Sequence, residues 1–253
     1  MPNANANTSI NKWQQIEKGL YFQEFTFINN AKLFVLKINP KYFSFKLYSS
    51  DKDKKGLHSI DVWAKSYDLV AAINASMYLE DGKTSTGFMK DGDYINNKKI
   101  AAKLGAFFVA GPNSESLPEA MIIEKDDPDF KNKLSNYRLV IQNYRMITKD
   151  KKILWPKDGA LHSIAAIGED ENGNILFMHC KDPIDPYSFA TQTLSFPLKL
   201  SKLMYVEGGG QACLIVNTNS FYKELLGFNA VSLLISNDFK AELPNIIGIQ
   251  AKH

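Results

Sequence analysis

Five short apolar runs set the limits on what this chain can fold into. They are "LVAAIN" (69–74), "RLVIQN" (138–143), "IAAIG" (164–168), "LMYVE" (203–207) and "ACLIVN" (212–217). Each is too short for a buried helix and the right length for a buried strand, and each runs into a polar residue. The first four are therefore expected as neighbouring central strands whose ends face one cleft. Other segments add turn chemistry. "AKLFVLKINPKYFSFKLYSS" (31–50) reads as two strands around an Asn-Pro turn. Asp91-Gly92 and Asn172-Gly173 are hairpin signals. Ser59 and Asp185 are placed as helix N-caps, with Pro186 at the first helical position. The sum is α+β: strand-rich, with a mixed central sheet flanked by short helices.

No linker, repeat or low-complexity block interrupts the pattern after about residue 12, so residues 13–253 are read as one domain behind a polar tail, 1–12. The 253 residues carry 30 Lys+Arg against 27 Asp+Glu, a net charge of only +3. Nucleic acid binding needs clustered cations, and the balance argues against it. The runs "DKDKK" (51–55) and "KDKK" (149–152) mix both signs and read as solvated loops. No stretch reaches the roughly 20 apolar residues of a membrane span. The opening "MPNANANTSINKW" lacks the basic start and apolar core of an export leader. It reads equally as a cytoplasmic start or as the spacer that follows a removed leader. Cys180 and Cys213 allow a disulfide or two buried thiols.

Chemistry concentrates in four places. "LMYVEGGGQACLIVN" sets one carboxylate, Glu207, and three glycines, Gly208, Gly209 and Gly210, between two apolar runs, with Gln211 next. The glycines match neither a phosphate loop nor a dinucleotide fingerprint. They read as a tight turn, or as a place where a ligand approaches the backbone. "VIQNYRMI" puts Gln142 and Arg145 inside an apolar segment, where they must pair internally or face a cleft. "INASMYLEDGKTSTGF" ends a strand at Asn74, follows it with small residues, closes a turn at Tyr78 and restarts near Gly87. "LHSIAAIG" opens a strand with His162 and Ser163. The four histidines, His58, His162, His179 and His253, show no metal-ligand spacing with one another or with cysteine, so no cofactor is expected; whether catalysis requires a metal is left open.

Taken in order, these motifs resemble the phosphodiester glycosidase family of the uncovering-enzyme type: N-x-x-x-Y…TGF, then Q-x-x-R-M-I, then S-x-A-A-I-G…NG, then an acidic residue with G-G-G. The resemblance runs from about Ala31 to the end, "LPNIIGIQAK" included. It departs from the animal pattern at Glu207, where those enzymes have Asp before the glycines, at Gln211, where they have Ser, and at His162-Ser163, where they have Arg-Thr. This looks like a bacterial branch.

The resemblance implies hydrolysis of a sugar-1-phosphodiester. The leaving group is a phosphate monoester, whose second pKa of about 6 removes most need for a proton donor. Such a site needs a carboxylate, a phosphate clamp and groups that orient sugar. Glu207 is assigned as the carboxylate, Arg145 as the clamp and His162 as a hydrogen-bond donor. Asn74, Tyr78, Gly87, Gln142, Ser163, Gly208, Gly209, Gly210 and Gln211 are assigned to substrate. Glu207 is expected within reach of Arg145 or His162. The resemblance also implies an exported or envelope protein with its leader absent from this chain, compatible with a lipid anchor upstream, acting on a glycan or sugar phosphodiester. Two other readings stand beside it: a glycan-binding or polysaccharide-assembly protein on the same fold, and a structural domain whose glycine turn is only a turn.

Overall fold

The turn chemistry fixes the local hairpins. In the computed structural model, residues 12–228 and 240–252 are described; the expected tail lies outside them apart from residue 12. Gly92 and Gly173 take left-handed backbone at φ 63° and 77°, as their hairpin turns require. The Asp170 carboxylate braces the second turn, accepting from the N–H of Asn172 and of Asn174 at 2.9 Å. Asp185 caps its helix by accepting from Ser188 N–H at 2.9 Å. Ser59 occupies its N-cap, yet its hydroxyl donates to Asp61 and not to the helix.

The strands are β1 (Gln14–Glu17), β2 (Leu20–Thr26), β3 (Lys32–Ile38), β4 (Phe43–Ser49), β5 (Ala71–Asn74), β6 (Met89–Asp91), β7 (Tyr94–Asn97), β8 (Ala106–Pro112), β9 (Ala120–Glu124), β10 (Tyr137–Ile147), β11 (His162–Asp170), β12 (Ile175–Ile184), β13 (Leu200–Gly208), β14 (Cys213–Asn217), β15 (Tyr222–Leu226) and β16 (Asn245–Ala251). The helices are α1 (Ser50–Asp53), α2 (Ile60–Ser66), α3 (Phe130–Ser135) and α4 (Pro186–Ser195), with a 3-10 turn over Gly209–Gln211.

Two sheets form. The larger runs β1-β2-β3-β12-β11-β13-β10-β6-β7, with β8 on β10 and β9 on β8; the smaller runs β15-β14-β5-β16-β4. Every described strand pair is antiparallel, which corrects the expected mixed sheet. The fold is mostly β, and α+β fits it only roughly. β10, β11 and β13 are neighbours as expected, but "LVAAIN" supplies β5 of the other sheet. An apolar run is indifferent to which buried sheet it joins, so its length and composition do not separate the two outcomes. Likewise β3 and β4 flank the Asn-Pro turn but enter different sheets.

The main core lies between the sheets: Phe45 of the small sheet packs edge-on against Phe108 and Phe177 of the large one. Outside the large sheet, Phe189 and Ala190 of α4 cover Leu203 and Tyr205. Outside the small sheet, Trp63 of α2 covers Ala72 and Ile215. Cys180 and Cys213 are both buried free thiols on different sheets, with burial pushing each up to about 12.

Candidate active site

β13 carries the lone carboxylate to the end of the large sheet, and an irregularity decides where it points. Along β11, Ala166 pairs with Tyr205 and the next residue, Ala165, pairs with Glu207, so Val206 is an extra residue. Such a bulge turns the following side chain to the other face. Ala166 and Tyr205 belong to the core under α4, whereas Ala165 and Val206 belong to the core between the sheets. Glu207 therefore faces the small sheet.

There it is nearly sealed, with 8% of its surface exposed. Its Oε1 accepts from Gly208 N–H at 2.9 Å. Burial raises its pKa to about 7, and that one hydrogen bond only partly offsets the effect. Among the described residues Glu207 has no ion-pair partner, so the expected cation beside it is not found.

The three glycines have separate reasons. Gly208 faces the α4 side, where an added methyl would overlap the Tyr205 hydroxyl and lie 2.8 Å from His162 Cδ2. Gly209 has φ 64°, the left-handed region. Gly210 lines an open cleft of about 620 Å³ together with Tyr78, Gln211 and Lys240. The Tyr78 hydroxyl donates to Gln211 Oε1, closing the loop after β5 against the glycine turn. The pKa of Tyr78 is raised by burial and then by the charge of Glu207. Tyr78 and Gln211 thus both line the cleft, and Tyr78 is close enough to Glu207 to feel its charge.

Other expected site residues hold the frame. Asn74 donates to Gln211 O at 3.0 Å and accepts from Cys213 N–H at 2.7 Å, tying β5 to the exit of the turn. Gln142 is saturated: its Oε1 accepts from Phe88 and Ala101 N–H, and its Nε2 donates to Ala101 O and Leu104 O. Gly87 packs on it so closely that a methyl would lie 2.9 Å from Gln142 O. The Ser163 hydroxyl donates to Lys181 O and accepts from Phe228 N–H.

His162 and Arg145 lie elsewhere. His162 Nε2 is 3.2 Å from the Tyr205 hydroxyl, on the face of the sheet opposite Glu207. Arg145 makes a bidentate pair with Asp126 at 2.6 and 2.9 Å and reaches Glu124 at 3.2 Å. It lines a different cleft, of about 740 Å³, beside Tyr144 and Trp155. The cation that borders the Glu207-side cleft is Lys240, held by Asp61 at 2.9 Å and Glu224 at 2.8 Å.

Sequence reasoning passed over Asn143 and His179. Both are fully buried on the inter-sheet face. His179 pairs with Ala165, which pairs with Glu207, so all three lie in one row across the sheet. Its Nε2 lies 3.0 Å from Ala212 O, which fixes the exit of the glycine turn, and burial depresses its pKa to about 4. Asn143 Nδ2 donates to Ala75 O at 2.8 Å, bridging the two sheets. The signal for Asn143 was strand alternation, which sets it on the face of Leu139 and Ile141 and puts Gln142 on the other. Among the described residues no group of three or more His, Cys, Asp and Glu side chains is placed to hold a metal ion. No helix there is long and apolar enough to cross a membrane.

A buried carboxylate at the end of an antiparallel strand, beside a glycine turn, is the candidate site of this two-sheet fold. The family model for phosphodiester glycosidase matches residues 67–250, which include every candidate residue from Asn74 to Gln211, and the chain belongs to that family. No curated protein matches it by sequence. Among solved structures, a hypothetical protein from Synechocystis superposes with TM-score 0.65 at 12% identity, over 96% of this chain and 64% of that one. The catalytic domain of zebrafish N-acetylglucosamine-1-phosphodiester alpha-N-acetylglucosaminidase, auto-inhibited by its pro-peptide, superposes with TM-score 0.65 at 10% identity, over 98% of this chain and 85% of that one. At these identities the superpositions establish the fold. Family membership supports a hydrolase with phosphodiester glycosidase activity in general.

Proposed function

We propose that this protein hydrolyses the bond between the anomeric carbon of a sugar and a phosphodiester, in an exported or envelope glycan. The observation that carries the reading is Glu207: a carboxylate delivered to a buried position, with a pKa of about 7, beside a cleft lined by Tyr78, Gly210 and Gln211. A carboxylate of that pKa is poised to take a proton from water near neutrality. As an anion in a low-dielectric setting it also stabilises positive charge developing on the sugar ring. The phosphate leaves as a monoester and needs little protonation. Tyr78, Gln211 and the backbone of Gly209 and Gly210 orient the substrate, and Asn74 holds their turn in place. Arg145 stays outside this proposal because two carboxylates already occupy it. His162 acts at most through Tyr205 and Gly208.

The test is a screen of purified protein against sugar-1-phosphodiesters, scored for released reducing sugar, with Glu207→Gln alongside. Turnover abolished by that substitution supports the reading. A glycan-binding role on the same fold is favoured by one observation, the absence of a described cation beside Glu207. Saturable glycan binding with no release of sugar from any diester decides for it.

A further inference from the structure

Alongside its pairing with β8, β10 meets β6 and β13 in turn along its length. β6 pairs with Leu139–Ile141 and β13 with Tyr144, Arg145 and Ile147. Gln142 and Asn143 fall between the two, at the fork where the strands part. Gln142 closes its side of the fork with four hydrogen bonds to the Phe88–Leu104 segment. Asn143 is as fully buried but only half satisfied. Its Nδ2 is committed to Ala75 O, which fixes the amide orientation because a carbonyl accepts only from the NH₂ end. Its Oδ1 is buried without a hydrogen-bond partner among the described residues. A buried acceptor in that state costs free energy and calls for a ligand atom to satisfy it.

Its neighbour is the catalytic carboxylate of the proposed reaction. Tyr144 pairs with Tyr205 on the α4 side, so Asn143 and the bulged Val206-Glu207 step both face the small sheet. Asn143 and Val206 are the next residues beyond the Tyr144–Tyr205 pair, so the Asn143 amide stands on the same face as Glu207 at the point where the strands part. Asn143 Oδ1 and the ionised Glu207 carboxylate are both acceptors, so no direct hydrogen bond can join them, whereas a water has one proton for each.

We propose that Asn143 Oδ1 and the Glu207 carboxylate hold the attacking water between them, one proton of the water directed to each. The inference rests on the proposed hydrolase reading. In the step, the water oxygen bonds to the anomeric carbon while the carbon–oxygen bond to phosphate breaks, its electron pair leaving with the phosphate monoester. The proton on the Glu207 side passes to that carboxylate and is later released to solvent. The proton on the Asn143 side stays on oxygen as the hydroxyl of the product sugar. Asn143 thereby aims the lone pair, a contribution of orientation.

Direct attack by water predicts inversion at the anomeric carbon, read by proton NMR of the first product formed by the wild-type enzyme. Asn143→Ala is expected to lower kcat by about 10²-fold with KM within threefold of wild type. Retention of configuration overturns the inference without any variant, even where Asn143→Ala fails to fold. So does a folded Asn143→Ala enzyme with kcat within threefold of wild type, or one whose loss lies wholly in KM. A wild-type protein that cleaves no sugar-1-phosphodiester overturns the hydrolase reading and this inference with it; retention or a silent Asn143→Ala overturns this inference alone.

Discussion

Tyr205 and Glu207 stand two residues apart on one strand and face opposite sides of the sheet. In a regular strand they would share a face; the extra residue Val206 separates them, and Gly208 then returns to the side of Tyr205. The Tyr205 hydroxyl and the His162 ring fill the space that a Gly208 side chain would take. Gly208→Ala is accordingly expected to destabilise the fold by about 1 to 3 kcal/mol through overpacking. Removing the obstructing oxygen with Tyr205→Phe should recover part of that loss in the double variant. Urea denaturation of the four proteins of the cycle checks it; additive losses would mean that the hydroxyl is not what Gly208 accommodates.

Arg145 gives a second prediction, because its partners are known. Its guanidinium is bidentate to Asp126 and close to Glu124, with 12% of its side chain exposed. Arg145→Ala strands a half-buried Glu124 and should cost about 1 to 3 kcal/mol of stability. Turnover is expected to stay within threefold of wild type, since the cleft it lines is not the one beside Gln211. A large fall in kcat with stability unchanged would restore Arg145 as a substrate clamp.

These cases show what the chain's pattern conveys before folding. The strands, the two glycine hairpins and the Asp185 cap follow from local rules, and local rules hold in the structure. Sheet membership does not: "LVAAIN" suits either sheet, because burial on both faces erases the alternation that would mark a side. At the site, Glu207 and the glycine turn stood out by composition, while Gln142 drew notice over Asn143 although alternation places Asn143 on the inter-sheet face. Alternation fails outright at Val206, where a bulge inverts the face of Glu207. The pairing of Arg145 with Asp126 spans 19 residues and leaves no local mark.

The Tyr78–Gln211 contact supplies a third prediction. It links the loop after β5 to the glycine turn in the wall of the cleft. Tyr78→Phe keeps the ring and removes the hydroxyl. One net hydrogen bond is worth about 0.5 to 1.5 kcal/mol, so KM should rise by about 2- to 10-fold while kcat changes little. Steady-state kinetics on a cleaved diester decide it; a fall in kcat with KM unchanged would place the hydroxyl in the chemical step instead.

Glu207 should pull stability and activity in opposite directions with pH. Its folded-state pKa is raised, from the model-compound value of 4.5 to about 7. Between those values the unfolded chain has released the proton and the folded chain still holds it. The native state then binds more protons, so stability falls as pH rises through the window and levels off above about 7. The difference of roughly 2.5 pKa units corresponds to about 3 kcal/mol from this single group. Catalysis needs the ionised carboxylate, so kcat/KM should climb over the same window and reach a plateau above about pH 7. Glu207→Gln keeps the shape and removes the titration. It should lower turnover by about 10²-fold or more and flatten that part of the stability curve, leaving the variant more stable than wild type at pH 8. Denaturation midpoints and initial rates measured from pH 4 to 8 test both halves. A stability profile unchanged by Glu207→Gln would show that the carboxylate is not buried in the working protein, and full activity of the variant would end its assignment to catalysis.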